Sequence, residues 1–210
     1  MTPQHHLPAD IERTSMGIIT AELAARGLEI PPENAAVVKR VIHTTADFDY
    51  AKNLRFTPGA VQAAVAALQG GVTIVTDTNM ALAGISKPGL RKLGCEAVCY
   101  MADPAVAEEA KQAGTTRAVA SMHRAAAEHP GAILAVGNAP TALLTIAELI
   151  ETANLRPALV IGVPVGFVNV VESKELIIES GADCIVARGR KGGSNVAAAI
   201  CNAMLYQITR

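Results

Sequence analysis

From residue 72 onward, short apolar runs rich in β-branched residues alternate with longer Ala-rich stretches. The runs cover 72–76, 96–101, 132–136, 158–162 and 183–187, and each leads into Gly, Asn, Asp or Pro. Unbroken apolar runs of this length suit strands covered on both faces, and their alternation with helices suits parallel βαβ units. Successive runs start 24, 36, 26 and 25 residues apart, enough for one such unit each, and the wider gap holds two helices, 104–113 and 115–128. No residue-level repeat accompanies this spacing. Ahead of the first run three stretches read as helices: 11–26 stopped by Gly27, 32–44 with Pro32 in its first turn, and 58–69 stopped by Gly70 and Gly71. The pattern predicts one domain over 1–210. It is a doubly wound α/β fold with a mostly parallel five-stranded sheet in 72–210 and an α-helical N-terminal addition in 1–71. Ligands of such sheets collect beyond the carboxyl ends of the strands, so the loops after the five runs are where chemistry is expected.

Those loops differ in character. Gly137-Asn138-Ala139-Pro140 starts a helix, and reads either as a tight capped turn or as free N–H groups meeting an anionic or carbonyl group. Val163-Pro164-Val165-Gly166-Phe167-Val168 is apolar where a phosphate enzyme would place polar groups, and reads either as a packed turn or as a flat greasy wall. Arg188-Gly189-Arg190-Lys191-Gly192-Gly193-Ser194 puts three cations and three glycines before a helix and is the densest anion-binding signal in the chain. It has neither P-loop nor dinucleotide-fingerprint spacing. Thr76 and Asp77 end the first run, where Asp77 is either an N-cap or a catalytic group, and Arg117 opens a helix. In the helix ending Lys39-Arg40-Val41-Ile42-His43-Thr44, Arg40 and His43 are three apart and share one face. His43 there is either a structural C-terminal histidine or a working one. His5 and His6 fall in a tail, and His123 and His129 lie on or after a polar helix face.

Composition narrows the partners. With 18 Lys+Arg against 19 Asp+Glu the formal charge is −1, so no global basic field draws nucleic acid or acidic lipid, and any anion must be held by locally clustered cations. Aromatic residues make up only 3%, too few for base-stacking platforms. Half the residues are hydrophobic, enough for a large core, yet no run approaches the roughly 20 residues of a membrane span. The N-terminus lacks a hydrophobic signal core, and a cytoplasmic protein is expected. Cys95, Cys99, Cys184 and Cys201 form no disulfide framework and no zinc-ribbon pair, and no histidine pair has metal-ligand spacing with a carboxylate, so neither metal nor disulfide is expected. A Gly-x-Ser-x-Gly nucleophile elbow is missing from the sequence.

Five segments taken in order resemble the precorrin-8X methylmutase family, including its cobalt-precorrin-8 members: Arg40 to His43, Gly137 to Leu143, Pro164 to Val168, Glu172-Ser173-Lys174, and Arg188 to Ser194. The resemblance runs from about Ile11 to Leu205. It implies a flavodoxin-like fold, a homodimer, and an isomerase of cobalamin biosynthesis that moves a methyl group from carbon 11 to carbon 12 of precorrin-8 or cobalt-precorrin-8. Hydrogenobyrinate or cobyrinate results. By the same resemblance His43 is the catalytic histidine, Arg40 a substrate-contacting arginine and Ser15 an N-terminal substrate contact. No cofactor or metal is implied.

Taken with the loops, this makes Ser15, Arg40, Thr76, Asp77, Arg117, Asn138, Val165, Gly166, Arg188, Arg190, Gly192 and Ser194 the expected substrate-binding set. Arg40, Arg117, Arg188 and Arg190 would hold the carboxylate rim, and 163–168 the ring face. The segment Asp47 to Tyr50 followed by Leu54-Arg55-Phe56 resembles the cobalt-bearing branch more closely. Two rivals stand beside this reading: a phosphate-handling α/β enzyme using 188–194 as its cradle, and a tetrapyrrole carrier without catalysis.

Overall fold

The computed structural model describes residues 7–210; His5 and His6 lie outside the described residues. The helices are α1 (Pro8–Ala25), α2 (Ala35–Thr45), α3 (Tyr50–Asn53), α4 (Ala60–Gln69), α5 (Asn79–Gly84), α6 (Lys87–Leu93), α7 (Pro104–Gln112), α8 (Arg117–Glu128), α9 (Pro140–Glu151), α10 (Val170–Glu179) and α11 (Ser194–Thr209). The strands are β1 (Leu54–Phe56), β2 (Ile74–Thr76), β3 (Ala97–Val98), β4 (Ile133–Val136), β5 (Leu159–Gly162) and β6 (Cys184–Ala187). They form one sheet in the order β1-β6-β5-β4-β2-β3, parallel throughout except for β1, which runs antiparallel against β6.

The sheet therefore has six strands, not five, and the stretch 1–71 is not wholly helical. β1 is only three residues long and carries Arg55 at its centre, so no apolar run announces it. Its pairing with β6 caps an edge that would otherwise be open. At the other edge β3 keeps two residues of the expected 96–101, and its side chains are only half-buried. The expected helix at 32–44 begins at Ala35, with Pro32 in the preceding turn.

The continuous apolar runs have the expected cause. Ile74, Ile133, Ala135, Leu159, Ile161, Ile185 and Ala187 face one core, which α1, α2, α4 and α11 close. Val75, Leu134, Val136, Val160, Cys184 and Val186 face the other, under α8, α9 and α10. β2, β4, β5 and β6 thus alternate between two buried faces. Helix α11 packs on α2, α4, α5 and α6, and α2 presents Val37, Val38, Val41 and Ile42 to it. That packing carries the last turn of α2, with His43, to the end of the sheet where β6 finishes: Leu54, shortly after α2, pairs with Ala187.

Candidate active site

The strand order reverses between β2 and β4, where a doubly wound sheet opens its ligand crevice. Here the chain fills that crevice itself. Asp77 has no exposed surface, and its carboxylate accepts the N–H of Gly137 at 2.8 Å, of Asn138 at 2.8 Å and of Ala139 at 2.7 Å. Burial pushes its carboxyl up from the ordinary value, and the three N–H bonds pull against that. The N–H groups of the turn leading into α9, expected as an anion site, are therefore occupied by Asp77. Asp77 also does not cap its own helix; Thr78 does, accepting the N–H of Ala81. Thr78 further meets the hydroxyl of Ser194 at 2.8 Å. A Cβ on Gly137 would come within 2.6 Å of Ser194 Cα, so glycine is needed for close approach. Thr76 is fully buried and donates to the carbonyls of Thr78 and Val98.

The apolar loop after β5 and the basic loop after β6 form one body. Gly193 N–H donates to Val163 O at 2.8 Å and Gly166 N–H to Arg190 O at 3.2 Å. A Cβ on Gly192 would sit 2.1 Å from Val163 O. Outside this seam Val165, Phe167 and Val168 are exposed, Phe167 to 82%. The loop's cations have different partners. Arg188 is forked onto Glu175, with Nη2 to Oε2 at 2.6 Å. Lys191 Nζ contacts Asp47 at 2.6 Å and Asp49 at 2.7 Å, which holds its ammonium above the usual lysine range. Arg190 lies over the Phe167 ring, 5.3 Å from its centroid.

His43 is exposed on α2, and Ser15 of α1 lies 2.8 Å from its Nδ1. The Ser15 hydroxyl thus occupies Nδ1, and no described residue bonds Nε2. One turn earlier Arg40 is paired with Glu12 of α1 and lies 5.0 Å from the Tyr206 ring centroid. Glu12 also takes Arg210 at 2.7 Å. Arg40 borders two grooves, of about 260 and 270 Å³, that Tyr206 also lines. The Asp47–Lys191 bond joins this helix end to the basic loop.

The sequence profile of the precorrin-8X methylmutase family matches residues 10–207. The chain is 47% identical over 178 residues to the cobalt-precorrin-8 methylmutase of Salmonella typhimurium, covering 84% of this chain and 83% of that protein. It is 43% identical over 197 residues to that of Priestia megaterium, covering 94% and 87%. A solved precorrin-8X methylmutase from Thermus thermophilus superposes with a TM-score of 0.85 at 41% identity, covering 93% of this chain and 96% of that one. The chain belongs to the precorrin-8X methylmutase family. It is accordingly an isomerase of the methylmutase type, and its role lies in cobalamin biosynthesis.

In this methylmutase most of the sequence-marked residues fall into two groups, with Thr76 and Asp77 buried at the end of β2 and Asn138 and Arg117 apart. Ser15, Arg40 and His43 meet on α1 and α2. Val165, Gly166, Arg188, Arg190, Gly192 and Ser194 line or brace the joined loops. Asn138 is exposed at the start of α9, while Arg117 lies after β3, its Nη1 3.4 Å from Met101 O. Among the described residues no cluster of His, Cys, Asp and Glu is arranged to hold a metal ion, and no helix is long and apolar enough to cross a membrane.

Sequence reasoning missed the groups that complete these ones. Glu12, Glu175, Asp47 and Asp49 neutralise Arg40, Arg188 and Lys191 from distant parts of the chain, and no local pattern marks them. Lys174 was readable. In α10 the buried positions are 170, 173, 174 and 177, so helical phase puts a lysine on the inside face.

Proposed function

We propose that this chain binds precorrin-8 in its cobalt-bearing form and moves the methyl group from carbon 11 to carbon 12, giving cobyrinate. The carbon 11–methyl bond breaks, the carbon 12–methyl bond forms, and no atom is gained or lost, so the step consumes no oxidant or reductant. His43 presents Nε2 to a ring nitrogen beside the migrating group and gives it a strong hydrogen bond or, from the imidazolium, a proton that returns to the imidazole once the methyl group has moved. That polarises the conjugated system and lowers the barrier to the shift, an effect worth typically 10²–10⁴-fold. Ser15 holds the imidazole from Nδ1, and the placement of a rigid ring supplies much of the remaining rate.

One observation carries this reading: the only polar partner of His43 among the described residues is a serine on Nδ1, which leaves the other nitrogen for a ligand at the sheet end where the exposed loops converge. Val165, Gly166 and Phe167 offer a surface for the ring face, with Arg190 at its edge and Arg40 beside His43 for acidic arms. Arg117 and Asn138 would meet arms reaching across the sheet. Arg188, Gly192, Ser194, Thr76 and Asp77 serve this reading by holding the loops, since their bonds are spent inside the protein. The cobalt-bearing substrate is favoured by the higher identity to relatives named for cobalt-precorrin-8, 47% and 43%, than to two named for precorrin-8X, 36% and 34%. We further take the protein to be one cytoplasmic domain over 1–210 that works as a homodimer. We also take its fold to be flavodoxin-like; the order 2-1-3-4-5 of the parallel strands, counted without β1, supports this. Incubation with purified cobalt-precorrin-8 and, separately, its metal-free form tests the reading. The visible spectrum should convert to that of the product, faster with cobalt. Binding without spectral conversion would make it a carrier, and stabilisation by phosphate ligands alone would make it a phosphate enzyme.

A further inference from the structure

Of the three cations in the loop after β6, two are neutralised by carboxylates: Arg188 by Glu175, and Lys191 by Asp47 and Asp49. Arg190 has no carboxylate partner among the described residues. It rests on Phe167, and a guanidinium on an aromatic face is oriented while keeping its charge for an anion. What fixes it lies underneath. Lys174 has no exposed surface, and its ammonium donates to Gly189 O at 2.7 Å and Lys191 O at 2.9 Å, the residues on either side of Arg190. The carbonyl of Arg190 itself accepts the N–H of Gly166. Three successive carbonyls are thereby bonded into the protein, and Gly189 supplies the left-handed turn, φ +78°, that this requires.

We propose that Lys174 is a positioning residue that acts through these two carbonyls to set Arg190 over Phe167, building a platform for a carboxylate borne on the edge of a flat ring. The proposal rests on the substrate reading above. Burial brings the Lys174 amine down to about 8, which leaves it mostly charged near neutral pH, so both bonds are charge-assisted. A hydrophobic side chain of the same length would fill the space and leave both carbonyls without their donor. The basic loop would then lose its anchor while Arg188 and Lys191 kept their own carboxylates.

A double-mutant cycle on cobyrinate affinity, followed by absorbance titration, tests this. Lys174→Met and Arg190→Leu should each weaken binding about tenfold or more, as loss of charge-assisted bonds does. The double variant should bind about as weakly as Arg190→Leu alone. In turnover Lys174→Met should raise KM and leave kcat within about twofold, since it removes only binding. Lys174→Gln keeps two N–H donors and should recover most of the affinity; if Lys174→Met does not fold, Lys174→Ala, which also removes the donor, takes its place in the cycle. Wild-type affinity in Lys174→Met, or losses that multiply in the double variant, would overturn the proposal. Failure of the wild-type protein to bind cobyrinate would overturn the substrate reading, and this proposal with it.

Discussion

Each functional side chain near His43 is held by a partner from another helix. The Ser15 hydroxyl holds the angle of the imidazole from Nδ1, a contribution near that of one hydrogen bond. Ser15→Ala should therefore cut kcat about five- to tenfold, with Ser15→Thr restoring most of it; equal rates in all three proteins would remove the serine from the mechanism. Asp47 tethers the end of this helix to the basic loop, and the Lys191 hydrogen bond holds its carboxyl below its ordinary 3.8. Arg40 likewise lowers Glu12 from 4.5. A depressed carboxyl pKa stabilises the fold above the ordinary value and loses that contribution as pH falls through the depressed one. Melting temperature should thus decline as pH drops below about 4, and less steeply in Asp47→Asn. Parallel melting curves for the two proteins would show that the tether carries no charge-dependent stability.

At the scale of elements, α10 combines a surface helix with an internal clamp. An unfolded lysine binds its proton up to about 10.4, while the folded Lys174 releases it near 8. Between those values the unfolded chain holds more protons, so stability should rise with pH across that window. Wild type should gain on Lys174→Met in melting temperature from pH 8 to 10; a constant difference would contradict the burial cost assigned to this amine. The junction of β4 with α11 is steric. Gly137→Ala forces a methyl against Ser194 Cα and should cost about 1–3 kcal/mol in denaturant unfolding, as overpacking does. In the sequence, Gly137 reads as a turn residue, but its φ is not positive and the constraint comes from a helix some 57 residues away. Local pattern shows that a glycine sits at a boundary, not which backbone it must admit.

Across the whole molecule, the five parallel strands and the helices between them were legible because both sheet faces are covered. The inner strands are then continuous apolar runs, as 132–136 and 184–187 show. β1 escaped because three residues with an exposed Arg55 carry no period, and only pairing with β6 makes them a strand. His43 and Arg40 were legible as neighbours on one helix face, and the basic loop as an anion signal. Which loop cation remains free was not, because Glu175, Asp47 and Asp49 reach the loop through tertiary contacts that sequence spacing does not encode. These partners neutralise Arg188 and Lys191 and leave Arg190 as the one loop cation without a carboxylate among the described residues, which puts its positive charge at one end of the sheet in a near-neutral protein.

The role of His43 is tested most directly by His43→Ala in a single-turnover reaction with cobalt-precorrin-8, read by visible absorbance beside cobyrinate affinity. The rate should fall by about 10²–10⁴-fold while affinity stays within a few-fold of wild type. Conversion at the wild-type rate would show that the imidazole takes no part in the methyl shift.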